Sequence, residues 1–272
     1  MARLLYLYGI ALKDEVEDKE FSQMKTIDGK NNVEVIAYGE CAAIVSPVEV
    51  EEFGEEVLEV KTNQMDWVQE KAYLHHEILM ELKEMATLIP MKFCTILESE
   101  TSLEKKMDAH ETEWAILLQK LSGKEEWNVK IYNHPGQLKE QVAEHHPDIQ
   151  KKREEISQMS KGMQYLQKKK LDQFIDEQVV QEQQSYVNQI HRDWSDLCEE
   201  TAEKKVWNKS VTGKEEDMCW NCAYLIDKEQ VEKFLSSVTK ANEEGESTGW
   251  HIEVTGPWPV YHFSTLSKSE VE

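Results

Sequence analysis

The chain predicts an α+β protein of two domains, each a small sheet backed by helices. Three observations lead there. Short β-rich runs and longer amphipathic stretches occur in both halves, without the regular strand–helix alternation of a doubly wound sheet. A length of 272 residues suits one or two domains. Eight Trp, nine Tyr and six Phe supply the aromatic surface of packed cores, which disordered chains lack. The predicted division is residues 1–124, residues 125–256 and an aromatic tail, residues 257–272.

In the first half, Leu4-Leu5-Tyr6-Leu7-Tyr8 reads as a buried strand ended by Gly9. Residues 13–30 form a charged connection. Val33 to Ala37 and Cys41 to Ser46 read as a hairpin around Tyr38-Gly39-Glu40, closed by Pro47. Val68, Ala72, His75, Leu79, Leu82 and Ala86 recur three or four apart and predict a helix over 66–87. Pro90 is expected to open a strand over 91–96. Thr101-x-x-Glu104 has the form of a capping box. The helix it starts carries Leu103, Met107, His110, Trp114, Leu118 and Leu121 on one side and ends at Gly123.

The second half begins with a clean alternation. Trp127, Val129 and Ile131 point one way, Asn128 and Lys130 the other, as in a strand with one wet face. His134-Pro135-Gly136 turns the chain into a helical region. From Asp148 to Thr201 there is no proline and a single glycine, Gly162. Ile156, Met159, Met163 and Leu166 form one apolar series; Val187, Ile190, Trp194, Leu197 and Thr201 form another. One helix over that span would be about 80 Å long, so a hairpin folded at Ser160-Lys161-Gly162 is expected. Met218 to Ile226 is a strand, Asp227-x-x-Gln230 caps a helix bearing Val231, Phe234, Leu235 and Val238, and Trp250, Ile252 and Val254 alternate in a last strand stopped by Gly256-Pro257-Trp258-Pro259.

Charge narrows the function. Lys+Arg number 31 against 53 Asp+Glu, a net charge of -22, with a pI near 4.9. Only Arg3, Arg153 and Arg192 are arginine. A nucleic-acid partner held by phosphate neutralisation is therefore not expected. Neither is a membrane partner, since no apolar run approaches the ~20 residues that span a bilayer. Leu4 to Leu12 is followed at once by Lys13-Asp14-Glu15 without a small-residue cleavage site. A buried strand is expected there rather than a signal peptide, and hence a cytoplasmic chain with reduced thiols. Five cysteines, an odd number, fit free thiols.

Cys219-Trp220-Asn221-Cys222 is the sharpest chemical motif and offers a thiol–disulfide oxidoreductase as the alternative function. Against it, the pair lies in a predicted strand, where positions three apart face opposite sides, and no second C-x-x-C completes a zinc site. His75-His76 and His145-His146 are adjacent pairs, set about 100° apart on a helix, and poor chelators. His75 falls on the apolar face and reads as a satisfied core or boundary residue. Acid pairs such as Glu51-Glu52 and Glu215-Glu216 lie in charged stretches with no implied apolar pocket. No phosphate-binding or nucleophile-elbow motif occurs. No catalytic, cofactor or metal residue is therefore assigned. The remaining candidates are aromatic: Trp250, Trp258, Tyr261 and Phe263, a docking surface or else a tail that folds back over a sheet edge or domain seam.

The order of motifs resembles the gas vesicle protein F/L (GvpF/GvpL) family. The pieces are Tyr6-Leu7-Tyr8-Gly9-Ile10, Ala42-Ala43-Ile44-Val45-Ser46, Thr87-Leu88-Ile89-Pro90-Met91-Lys92-Phe93, Glu126-Trp127-Asn128-Val129-Lys130, Gly162-x-x-Tyr165-Leu166 and Gly256-Pro257-Trp258-Pro259-x-Tyr261-x-Phe263. Cys94 stands where the family usually has Gly, and Val260 where Pro often precedes the Tyr. The resemblance implies a non-enzymatic accessory or minor structural protein of gas vesicle assembly, in the cytoplasm and at the vesicle. Its partners would be the hydrophobic shell protein and other gas vesicle proteins. It also implies an N-terminal α+β domain and a C-terminal ferredoxin-like domain elaborated by long helices. A generic scaffold or chaperone of another assembly is the remaining alternative. The charge of -22 would keep a holder of greasy subunits in solution.

Overall fold

The computed structural model describes residues 3–265. It is a mixed α+β structure with two sheets and falls into two compact units. One runs to Glu126 and takes in the segment beginning at Pro257; the other is Trp127–Gly256.

The first unit is built on β1 (Leu4–Leu12). Residues Leu5 to Ala11 are all buried, so both faces of this strand are covered. A short helix α1 (Lys13–Val16) follows, then β2 (Glu34–Tyr38) and β3 (Cys41–Val48). Helices α2 (Val50–Phe53), α3 (Glu55–Lys61) and α4 (Met65–Met85) lead to β4 (Leu88–Pro90), β5 (Ile96–Leu97) and α5 (Glu100–Leu121). The sheet order is β2-β3-β1-β4, with β5 also pairing β1, and every pairing is antiparallel.

Gly9 does not end β1. The register with β3 slips between Leu7 and Gly9, and the strand continues to Leu12. Glycine sits here because β4 comes close: a Cβ would lie 2.8 Å from the Ile89 carbonyl oxygen and 2.5 Å from Leu88 Cδ1. The β2–β3 hairpin forms as expected, with Gly39 at φ 55. Pro47 lies inside β3, beyond Val45 where β2 stops pairing, so a missing N–H on that open edge breaks no ladder bond. The strand expected over 91–96 is not formed. Residues after Pro90 turn, Cys94 takes φ 60, and only Ile96–Leu97 rejoins the sheet. Ser99, not Thr101, caps α5: its hydroxyl accepts from the Ser102 amide at 3.2 Å.

The second unit holds most of β6 (Lys124–Asn133), then α6 (Pro135–His145), α7 (Pro147–Ser157) and α8 (Lys161–Ser195). β7 (Glu200–Glu203), α9 (Lys209–Thr212), β8 (Asp217–Asp227), α10 (Val231–Glu246) and β9 (Trp250–Trp258) complete it. The sheet order is β7-β8-β6-β9, antiparallel where β7 meets β8. The helical chain breaks at Gln158–Ser160, and α7 and α8 form the hairpin. Lys152 of α7 lies over the Phe174 ring of α8, 4.5 Å from its centroid.

The α8 helix stops earlier than its apolar series implies. Ile175, Val187, Ile190 and Trp194 face the core, but Thr201 lies in β7 opposite Tyr224. Ser195 Oγ donates to the His191 carbonyl at 2.6 Å and Cys198 Sγ to that of Trp194 at 3.0 Å, so side chains bond the last-turn carbonyls. β7 escaped notice because an edge strand reading Glu-Thr-Ala-Glu carries no apolar face. At the other edge β9 runs through Gly256-Pro257 to Trp258 rather than stopping, since a proline on an outer strand need break no ladder bond.

Candidate interaction site

The first unit carries a platform of buried rings. Tyr6 and Tyr8 project from the same side of β1, with centroids 5.0 Å apart, and His75 of α4 sits 5.6 Å from Tyr6. Phe53 packs edge-on to Tyr6 at 6.1 Å, and Trp67 and Phe93 extend the cluster. The polar atoms inside it are satisfied in sequence. The Cys94 amide donates to Tyr6 Oη at 3.0 Å, and that oxygen lies 2.9 Å from His75 Nδ1. His75 Nε2 is 3.2 Å from the Met91 carbonyl, which only accepts. The proton on the ring is therefore on Nε2, and Tyr6 donates to Nδ1. Burial holds this imidazole down to about 4, so it is neutral at pH 7. Tyr8 Oη meets Ser46 Oγ at 2.7 Å and accepts from the Ile27 amide at 3.0 Å. Burial pushes both phenols above their usual range.

Adjacent histidines on α4 face different surroundings. His75 enters this platform, while His76 meets the C-terminal segment. The Trp258 ring lies 5.4 Å from His76, and Tyr261 stacks on it at 6.3 Å with an interplanar angle of 30°. Tyr261 Oη is 3.0 Å from His76 Nδ1. Glu126, fully buried, accepts from the His262 amide at 2.9 Å and from its ring nitrogen Nδ1 at 2.7 Å. Val260 and Phe263 are buried, whereas Tyr261 keeps 40% of its surface exposed and Trp258 is half-buried. The segment is thus a strap with an inner face of Val260 and Phe263, a polar clamp at Glu126, and an outer rim of Trp258 and Tyr261. Trp250 lies apart from it, in the core of the second unit. It is 4% exposed and stacks on Tyr186 at 4.0 Å and 16°.

His76, Glu126 and His262 were not singled out from the sequence as holding the segment. Glu126 opens one of the quoted motifs, ahead of an alternating strand. A carboxylate at the start of a strand that goes on to bury Val129 and Ile131 was the available signal.

The thiols show no activation. All five cysteines are free. Burial pushes Cys219 and Cys222 up to about 11, and Cys198 up to about 12. A redox nucleophile needs the opposite shift. Cys222 is fully buried; Cys219 lies in the wall of an open groove of about 660 Å3 beside Val187, Trp207, Met218 and Trp220. Its Sγ bonds the Ile131 carbonyl at 3.3 Å. Among the described residues no cluster of His, Cys, Asp or Glu could hold a metal ion, and no helix is long and apolar enough to cross a membrane.

The hairpin is the other unusual surface. Met159, Met163 and Leu166 of the expected apolar series are 37, 47 and 61% exposed, and Tyr165 beside them is 80% exposed. They pack against no core; the buried face of α8 begins only at Ile175.

The model of one family, described as gas vesicle synthesis protein GvpL/GvpF, matches residues 4–265. The chain belongs to that family. Membership gives it a part in gas vesicle assembly. A gas vesicle protein L from Streptomyces sp. is 22% identical over 240 residues, 87% of this chain and 85% of that protein. A gas vesicle protein F from Microcystis aeruginosa is 25% identical over 173 residues, 62% of this chain and 67% of that protein. The crystal structure of the gas vesicle protein GvpF from Anabaena sp. shares the fold, with a TM-score of 0.71 at 19% identity over 98% of this chain and all of that one. That of GvpF from Microcystis aeruginosa gives 0.65 at 21%, with the same coverage.

The GvpL/GvpF motif pieces divide by environment. Tyr6, Tyr8 and Ala42 to Ser46 are core, and Glu126 with the terminal piece forms the strap. Tyr165 and Leu166 are exposed, with no packing role in the chain. Cys94 holds a left-handed backbone that glycine adopts without steric cost.

Proposed function

We propose that the chain is a non-enzymatic accessory factor that holds the hydrophobic shell subunit of the gas vesicle during assembly, in the cytoplasm and at the vesicle. Trp258 and Tyr261 make the contact, with Phe263 anchoring the strap beneath them and Trp250 fixing the strand that delivers it. The exposed apolar residues of the α7–α8 hairpin form a second interaction surface.

The observation that carries the reading is the outer rim of the strap. Trp and Tyr dominate interface energetics, and here two of them stand at the surface on a base fixed by Glu126 and His76. Pre-organisation of this kind removes ordering cost from binding. The acidic body resists co-aggregation with an apolar client. For the second unit we propose the ferredoxin-like topology. Supporting it, the chain order β6, helices, β7, β8, α10, β9 combines with the sheet order β7-β8-β6-β9, which is a split βαβ repeated twice.

The test is capture of purified shell protein by the tagged chain and by the variant Trp258→Ala/Tyr261→Ala/Phe263→Ala. Capture should fall at least about tenfold, the loss of a ~1.4 kcal/mol contribution. Undiminished capture by a normally folded variant removes the strap from the interaction.

A further inference from the structure

The tip of the α7–α8 hairpin is a basic patch on an acidic chain. Residues 151–170 carry Lys151, Lys152, Arg153, Lys161, Lys168, Lys169 and Lys170 against only Glu154 and Glu155, a net charge of +5. With -22 overall, the other 252 residues carry -27. Lys152 is occupied over Phe174, but the other basic side chains stand at the exposed surface with Met159, Met163, Tyr165 and Leu166. An exposed patch that is both basic and apolar marks an interaction site.

A surface of matching character lies on the same chain. In α2, α3 and the start of α4, Glu51, Glu55, Glu56 and Glu59 are exposed. Among them stand Val50, Val60 and Met65, exposed by 44, 60 and 69%. Glu49 and Glu52 are drawn aside to Lys30, at 3.3 and 3.2 Å, and do not belong to this set. The two surfaces are alike in apolar content and opposite in charge, as the two sides of a specific interface are.

We propose that the hairpin tip of one copy docks on the α2–α3 surface of a second copy. The contact is head-to-tail: different patches meet, so each docked pair leaves one free patch of each kind, and the arrangement extends into a row or closes into a ring. Attraction between the two patches works against repulsion between bodies of like charge, which makes the association weak, dependent on concentration and confined to these patches. This rests on the reading of the hairpin as an interaction surface and names its occupant as the chain itself.

Sedimentation of the full chain tests it. The weight-average mass should rise above 31.8 kDa with concentration at low salt and return to it at about 0.5 M salt, where the Debye length is only a few ångströms. Lys168→Glu/Lys169→Glu/Lys170→Glu and, separately, Glu55→Lys/Glu56→Lys/Glu59→Lys should each stay monomeric while keeping their circular dichroism. Mixed in equal amounts, the two variants should associate with each other, because each supplies the charge the other now needs. A wild-type chain that stays at 31.8 kDa at every concentration overturns the proposal, as does a mixture that stays monomeric. A monomeric wild type that instead floats with phosphatidylserine vesicles overturns it in favour of an anionic surface. Shell-protein capture through the strap is measured separately, so its failure and the failure of self-association are distinguishable.

Discussion

Acidification should loosen the first unit through a single ring. His75 is neutral because it is buried, with Tyr6 donating to its Nδ1 and its Nε2–H donating to the Met91 carbonyl. A second proton on Nδ1 would face the Tyr6 hydroxyl hydrogen and add a charge to a site that is 4% exposed. The ordinary value is 6.5 and the folded value about 4. Between those pH values the unfolded chain binds the proton and the folded one does not, so stability falls as pH falls. The full contribution is present above 6.5 and declines down to about 4. At ~1.36 kcal/mol per unit, the loss is about 3 kcal/mol. Hydrogen exchange of the Cys94 amide, which donates to Tyr6, reports the opening directly. His75→Leu removes the titration: it should be less stable than the wild type at pH 7 by about 1–3 kcal/mol, for the bonds lost, yet change far less between pH 6.5 and 4. Parallel loss of protection in both chains would refute the assignment.

Three further outcomes follow from the same geometry. Cys94→Gly should raise stability by about 1 kcal/mol in urea denaturation, because a non-glycine residue at φ 60 is strained. Glu126→Ala should release the strap, seen as faster exchange of the His262 amide, at a cost of about 2–3 kcal/mol for bonds to a charged acceptor, while Glu126→Gln retains an acceptor and loses less. The five thiols, those of Cys219 and Cys222 held up at about 11, should react with an uncharged disulfide reagent far more slowly than free cysteine at pH 8, and readily once urea unfolds the chain.

The two sheets and the long helices were legible because their apolar periods are long and regular: Val68 to Leu82 in α4, Leu103 to Leu121 in α5, and Trp127 to Ile131 in β6. The errors share a cause. Whether an apolar residue is buried depends on what lies across from it, and sequence period is blind to that. Met159 to Leu166 has the spacing of a core face, but it joins no core cluster and stays largely at the surface. Thr201 continued a helical period, but β8 lay close enough to pair with it. The turn at Cys94 was hidden because the left-handed residue there is not a glycine. At the candidate site, the aromatic content of residues 258–263 was plain, and so was the place of His75 on the apolar face of its helix. The division of the strap into buried Phe263 and exposed Tyr261 was not, since it is set by α4 and Glu126, far away in sequence.

The central claim is that an acidic, pre-organised body keeps an aggregation-prone shell subunit in solution. Light scattering of the purified shell subunit, diluted from denaturant into buffer with or without equimolar chain, tests it most directly. The account predicts that the chain suppresses scattering and that Trp258→Ala/Tyr261→Ala loses most of that effect. Scattering that rises identically with and without the intact chain would contradict it.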